Sequence, residues 1–156
     1  MHTENAVFMR ADAGTVFTLA RAVEDWPRLL PHYRSVSILH DEGPWRIVAM
    51  SAWRGRIPVR WTAEQRCFPD EPRITFRHVG GVTTGMDVVW ELSPRDDGVD
   101  VRIIHDFELR WPLIGGFAAQ RIIGPRFVSY IADQTLRCIK EIAEARSRQS
   151  LGSARR

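Results

Sequence analysis

A chain of 156 residues, 44% hydrophobic and 26% charged, has the length and composition of one soluble globular domain, so intrinsic disorder is set aside. No apolar run reaches the roughly 18 residues of a membrane span, and Met1–Asn5 carry neither the basic nor the apolar region of a secretory signal. The pI of 9.4 invites a nucleic-acid reading, but the last ten residues hold three arginines and no acid, and without them 19 basic residues face 19 acidic ones; such a neutral body lacks the cationic stripe a phosphate backbone requires.

In chain order, residues 4–10 read as a first strand, and Asp12 as the N-cap of a helix over 13–22 with Val16, Leu19, Ala20 and Val23 at helical spacing. Asp25-Trp26-Pro27 through Leu30-Pro31 leaves room for one or two turns only. Strands then follow at about 33–40, 45–53, 57–67, 73–79, 84–93 and 99–109, separated by turn-forming clusters such as Asp41-Glu42-Gly43-Pro44, Gly80-Gly81 and Asp96-Asp97-Gly98. A helix is predicted over 115–146 with an irregularity at Gly124-Pro125, and residues 147–156 read as a polar, disordered tail. The domain is therefore expected over 1–146. Strands followed by one covering helix make an α+β layout, and such layouts often enclose a cavity between the sheet and its lid.

Side chains alternate across a strand, so each apolar set names an inner face. Trp61, Ala63, Gln65 and Cys67 follow Ile57 and Val59 inward on one strand, which leaves Arg66 facing solvent. Phe76 and His78, then Met86 and Trp90, then Ile103, His105 and Phe107 do the same on the next three. Strand 45–53 is apolar on both faces; the reading adopted puts Trp45, Ile47, Ala49, Ser51 and Trp53 inside. On the last helix, Phe127 and Ile131 belong to the apolar face. The inner surface is thus aromatic and apolar with a few polar intruders: Ser51, Gln65, His78 and His105. A buried polar group needs a partner, and several converging on one face point to a cavity holding water or ligand.

Other chemistries find little support. No carboxylate or thiolate joins His78 and His105 at ligand spacing, so no metal is expected. No serine sits on a Gly-x-Ser-x-Gly turn, and the paired glycines open no phosphate-binding unit. The six tryptophans on a neutral body suit cavity walls better than platforms for single-stranded nucleic acid. Cys67 and Cys138 stand far apart without CxxC spacing, which suits reduced thiols in the cytoplasm.

The motifs Asp25-Trp26-Pro27, Leu29-Leu30-Pro31-His32-Tyr33, Trp61-Thr62-Ala63 leading to Pro69-Asp70, then Met86, Trp90 and His105-Asp106-Phe107-Glu108-Leu109 resemble, in order and spacing, the SRPBCC superfamily of START-like, helix-grip proteins, and within it the polyketide cyclase/aromatase branch. The resemblance covers about residues 4–146. It implies a curled seven-stranded antiparallel sheet around the C-terminal helix, with a hydrophobic ligand held between them. It implies cofactor-free enolisation, ring closure and loss of water on a polyketide-like substrate. It places Tyr33, Trp61, Trp90 and His105 on the pocket wall. Cyclases resembling this chain carry an inward serine and arginine two and four residues after the tryptophan; here those positions are Ala63 and Gln65.

The expected site therefore consists of His105 and Tyr33 as catalytic residues, with Trp61, Gln65, Ser51, His78, Met86, Trp90, Phe127 and Ile131 binding a ligand in a cavity of about 300–1,000 Å³. Histidine titrates near neutrality and suits proton transfer, and a phenol can donate to a carbonyl oxygen as charge develops there. The expected partner is a small hydrophobic or polyketide-like molecule, with no cofactor, no nucleic acid and no membrane span. A non-catalytic lipid or quinone carrier is the alternative, and an interaction module with a collapsed cavity a third.

Overall fold

The computed structural model describes residues 1–107 and 124–155. Seven strands form a single antiparallel sheet: β1 (His2–Met9), β2 (Tyr33–Asp41), β3 (Trp45–Arg54), β4 (Ile57–Phe68), β5 (Arg73–Gly81), β6 (Met86–Arg95) and β7 (Gly98–Phe107). Their order across the sheet is β1-β7-β6-β5-β4-β3-β2, so all neighbours from β2 to β7 are joined by hairpins and only β1 crosses to the far edge. Between β1 and β2 lie α1 (Ala13–Arg21) and the single turn α2 (Trp26–Leu29); α3 (Pro125–Ala154) packs on β1, β7 and α1. The curled sheet and this helix enclose the core.

The expected strands all appear, because each carries an apolar parity that only a sheet can turn to one side. Asp12 caps α1, its carboxylate accepting from the Thr15 backbone N–H at 2.9 Å, and Val16, Leu19 and Ala20 are buried beneath it. Trp26 is anchored by its indole N–H, which donates to the Leu19 carbonyl at 3.0 Å and so fixes α2 against α1. Gly81 ends β5 at φ +86°, and a Cβ there would run into the backbone of Arg60 and Trp61, so only glycine lets β5 close on β4 beside the register shift at Thr62/Ala63.

Four expectations need correction. The helix begins at Pro125 with Gly124 in extended conformation at its N-cap, so the expected mid-helix irregularity is a helix start; proline fits the first turn, where its missing N–H has no carbonyl to meet. The expected helical residues 115–123 and the strand end 108–109 lie outside the described residues. Residues 147–154, expected as a disordered tail, continue the helix as an exposed extension, in which the Ser150 hydroxyl donates to the Arg146 carbonyl at 3.1 Å. Ile57, expected inside, is exposed at the start of β4.

The fourth correction concerns β3. Its inward set is Arg46, Val48, Met50 and Ala52, the parity opposite to the one expected, and Trp45, Ile47, Ala49, Ser51 and Trp53 lie on the outer face. Antiparallel partners share a face, and β3 pairs Met50 with Trp61, Val48 with Ala63 and Arg46 with Gln65. The inward parity of β4 therefore imposes that of β3. The outer tryptophans are shielded locally, Trp45 by the His40 ring at 5.2 Å and Trp53 by the Arg34 guanidinium at 5.5 Å.

Candidate functional site

Between the concave sheet and α3 lies a cavity of about 80 Å³. That is well under the expected 300–1,000 Å³ and roughly enough for half a dozen waters or one small ring. Tyr33 enters from β2, Trp61 from β4, Phe76 and His78 from β5, Met86 and Trp90 from β6, and His105 from β7. From α3 come Phe127, Val128, Ile131, Ala132 and Thr135. Among the described residues the lining contains no Asp, Glu, Lys or Arg side chain. Trp61, His105, Phe127 and Ile131 keep partial exposure and border the open side.

The aromatic wall is built by contact across strands. Tyr33 lies edge-on to Trp26 with centroids 4.9 Å apart and to Trp61 at 6.3 Å; Trp26 reaches Trp90 at 5.9 Å. Trp61 stacks flat on the His78 ring at 5.6 Å and 5°. The other side of that imidazole is tied down, its Nδ1 lying 2.6 Å from the Thr83 hydroxyl.

Burial governs the titration of these groups. His78 is pushed down to about 3, first by desolvation and then by the nearby His105. His105 falls to about 4 through desolvation, with Asp106 opposing the shift. Both imidazoles are therefore neutral at physiological pH. The His105 Nδ1 is buried and has no hydrogen-bond partner among the described residues, an unmade bond that costs free energy until something supplies it. Burial raises the Tyr33 phenol, and the Thr135 hydroxyl partly offsets this.

Thr135 also meets a residue that strand patterning did not reveal. Its hydroxyl donates to the Ile131 carbonyl at 2.8 Å, so the His32 Nε2, also 2.8 Å away, must be the donor in their contact. His32 lies just outside β2 behind Pro31, where no alternation exists to orient it. Burial alone lowers it to about 4.

Of the ten expected site residues, eight meet at this cavity: Tyr33, His105, Trp61, His78, Met86, Trp90, Phe127 and Ile131. Ser51 does not, because β3 turns it to the outer face, where its hydroxyl is buried without a partner among the described residues. Gln65 points inward but away from the cavity, and its amide is fully engaged near α1. Its Oε1 accepts from the Arg46 Nε at 2.8 Å, and its Nε2 donates to the Arg21 carbonyl at 3.0 Å. Arg46 completes the cluster, donating to the Arg21 carbonyl at 2.5 Å and pairing with Glu24 at 3.1 Å. Arg66, as expected, faces solvent, 3.8 Å from Glu64.

The Arg46 guanidinium is nearly inaccessible, with 5% side-chain exposure, whereas Glu24 is 44% exposed. Gln65 is thus the deeply buried partner of a buried cation. Gln65→Leu is expected to lower unfolding stability by about 2–3 kcal/mol, because it strips an acceptor from a charged donor. Urea denaturation of this variant, of Arg46→Met and of the pair measures the coupling; the double variant should lose less than the sum of the singles.

Among the described residues no group of three or more His, Cys, Asp or Glu side chains is arranged to hold a metal, both cysteines are unpaired, and no helix is long and apolar enough to cross a membrane.

A seven-stranded antiparallel sheet curled about one long helix, with an apolar cavity between them, defines a helix-grip protein of the START-like kind. The chain belongs to the family described as polyketide cyclase / dehydrase and lipid transport, whose model matches residues 9–123. A candidate polyketide cyclase of Streptomyces halstedii is 32% identical over 110 residues, covering 66% of this chain and 97% of that protein. The actinorhodin polyketide synthase bifunctional cyclase/dehydratase of Streptomyces coelicolor is 33% identical over 104 residues, 63% of this chain, which spans only 32% of that protein's length. Among solved structures, the Zhui aromatase/cyclase from Streptomyces sp. R1128 superposes with a TM-score of 0.85 at 20% identity, covering 94% of this chain and 95% of that one. A START superfamily protein from Mycobacterium smegmatis gives 0.66 at 17% identity, covering 95% and 97%. At these identities the structural likeness speaks for the fold.

Proposed function

We propose that residues 1–146 act as one cytoplasmic, cofactor-free unit that holds a polyketide-like ligand between sheet and helix and promotes its cyclisation and dehydration, with His105 and Tyr33 as the working pair. The observation that carries this reading is the His105 imidazole, which borders a mostly apolar cavity while its Nδ1 lacks a partner among the described residues. In this reading the neutral ring takes a proton from a carbon flanked by carbonyls, and the resulting enolate attacks a second carbonyl of the same chain. Tyr33 donates to the oxygen on which charge develops. The imidazolium passes that proton to the new alkoxide, giving a hydroxyl. The neutral ring then takes the second proton of the same carbon, and the C=C bond forms as the C–O bond breaks. The imidazolium gives this proton to the departing hydroxide, releasing water and leaving His105 neutral and Tyr33 still protonated.

The relatives' names support a cyclase or dehydratase, and the cavity's size sets a condition. A chain of several carbonyl units exceeds about 80 Å³, so in this reading it enters by displacing the half-buried Phe127 and Ile131 side chains at the open side. A carrier of lipids or quinones is the second reading. It is favoured by the wall itself, which among the described residues, with Ala63 and Gln65 in place, presents no fixed cation to an enolate, a group that a carrier does not need.

Native mass spectrometry of the purified protein tests the shared premise. A bound apolar molecule is expected, and Ala132→Leu, which adds bulk at a cavity wall position that is only 3% exposed, should abolish it. A protein that carries nothing and binds no apolar probe would remove both readings.

A further inference from the structure

Among the described residues the cavity lining holds no permanent charge, yet the tip of an arginine-bearing hairpin reaches its border. Residues 43–63 contain four arginines and no acid. Arg46 is consumed by Glu24 and Gln65. Arg60 pairs with Ser51 on the outer face, and Arg54 and Arg56 form no ion pair among the described residues. Arg54 and Arg56 sit at the tip of the β3–β4 hairpin, where Arg54 pairs with Ile57 around the two-residue turn Gly55-Arg56. That tip reaches α3: the Arg54 guanidinium lies 5.8 Å from the ring centroid of Phe127, a cavity-lining side chain on the open side. Arg126 precedes Phe127 in the first turn of α3, which contains no acidic residue.

An apolar interior beside arginines that meet no acid among the described residues fits one kind of molecule. Resting on the cavity-binding reading above, we propose that the ligand is an amphiphile whose apolar body occupies the cavity and whose anionic end, a carboxylate or a phosphate, is held at the mouth by Arg54 and Arg56. An anion cannot follow the apolar body inward. The imidazoles are neutral, the other polar side-chain groups of the wall among the described residues are hydroxyls and indole N–H, and desolvating a carboxylate or phosphate there lacks compensation. At the mouth the anion keeps its water and gains planar, multivalent donors suited to carboxylate and phosphate. The free terminus of an apolar acid and a phosphate on a longer tethered chain offer this same chemistry.

Titration calorimetry of the full chain with hexanol, hexanoate and hexyl phosphate separates these points. At low salt the two anions are expected to bind about tenfold tighter than hexanol, and the advantage should shrink as salt screens the exposed arginines. In Arg54→Gln/Arg56→Gln the anions should fall to the hexanol level while hexanol binding holds. Arg95→Gln, which alters an arginine engaged with Asp100 at 3.1 Å on the β6–β7 turn, should change nothing. A clear lead of hexyl phosphate over hexanoate assigns the site to a phosphate-bearing chain, and parity assigns it to carboxylic acids. Equal binding of hexanol and both anions, or an anion preference that survives the double substitution, overturns the proposal and leaves the cavity reading standing. Failure of all three to bind overturns both.

Discussion

His105→Ala is expected to lower turnover of a polyketide-type chain by roughly a hundredfold to ten-thousandfold, the range that a positioned proton-transfer group contributes. The argument rests on where the ring stands. It borders the cavity, and among the described residues its Nδ1 has no hydrogen-bond partner that a substrate would have to displace. Burial keeps it neutral with a pKa of about 4. The rate should therefore be flat near neutrality and fall only as pH drops through about 4, where the base is lost. His105→Gln restores shape and hydrogen bonding but cannot take a proton, so it should bind substrate like the parent while staying as slow as His105→Ala. Tyr33→Phe removes the donor to the developing oxyanion and is expected to reduce kcat by roughly a hundredfold, with the regiochemistry of ring closure loosened. Unchanged rates and products in all three variants would leave a binding protein, and the carrier reading would stand alone.

Acid should destabilise the fold well before its carboxylates titrate. His78 and His105 are held neutral at about 3 and about 4, while in the unfolded chain both protonate near the ordinary 6.5. Between those values the unfolded state binds more protons, so stability is full above about 6.5 and drains away as pH falls towards 4. At about pH 5 each of these two imidazoles is expected to have cost roughly 2 kcal/mol, or about 4 kcal/mol together. Asp106 moderates the effect for His105, and mutual repulsion of the two rings adds to it once both are charged. His32 shifts in the same direction but is partly exposed, and it adds less. Urea unfolding across this range measures the slope. His78→Gln, which can still bond to Thr83, should retain about half of the lost stability at pH 5. A parent protein whose stability is level from neutrality to pH 5 would show that these rings are well hydrated in the folded state, and their desolvation by burial would have to be abandoned.

Much of this molecule is written in local alternation. On β4 to β7 a single parity collects the apolar residues, and a sheet can bury only one of its faces against α3, so Trp61, His78, Met86, Trp90 and His105 were legible as neighbours before any tertiary contact was known. The same logic placed Arg66 in solvent. The motifs from Asp25-Trp26-Pro27 through Trp61-Thr62-Ala63 to His105-Asp106-Phe107, in their order and spacing, carried the family resemblance.

Where one strand offers two apolar faces, alternation is silent, and β3 is that case. Its inward parity is decided by the ladder with β4, and the deciding signal was nonetheless present in the chain. The two-residue turn Gly55-Arg56 sets Arg54 against Ile57, and counting back from there places Met50 opposite Trp61. Ser51 must then face outward, and Arg46 must face inward. Once Arg46 is buried, Gln65 and the Arg21 carbonyl become its partners, and an amide that seemed to belong to a ligand belongs to the core. Neither the burial of that guanidinium nor the 80 Å³ left between Phe76, Met86, Phe127 and their neighbours follows from any pattern of hydrophobicity. Periodicity determined which side chains face inward, because the backbone geometry of a strand is local. Which of those side chains satisfy one another, and which are left open to a ligand, was decided only by the tertiary structure, because hydrogen bonds and packing volume depend on residues brought together from distant parts of the chain.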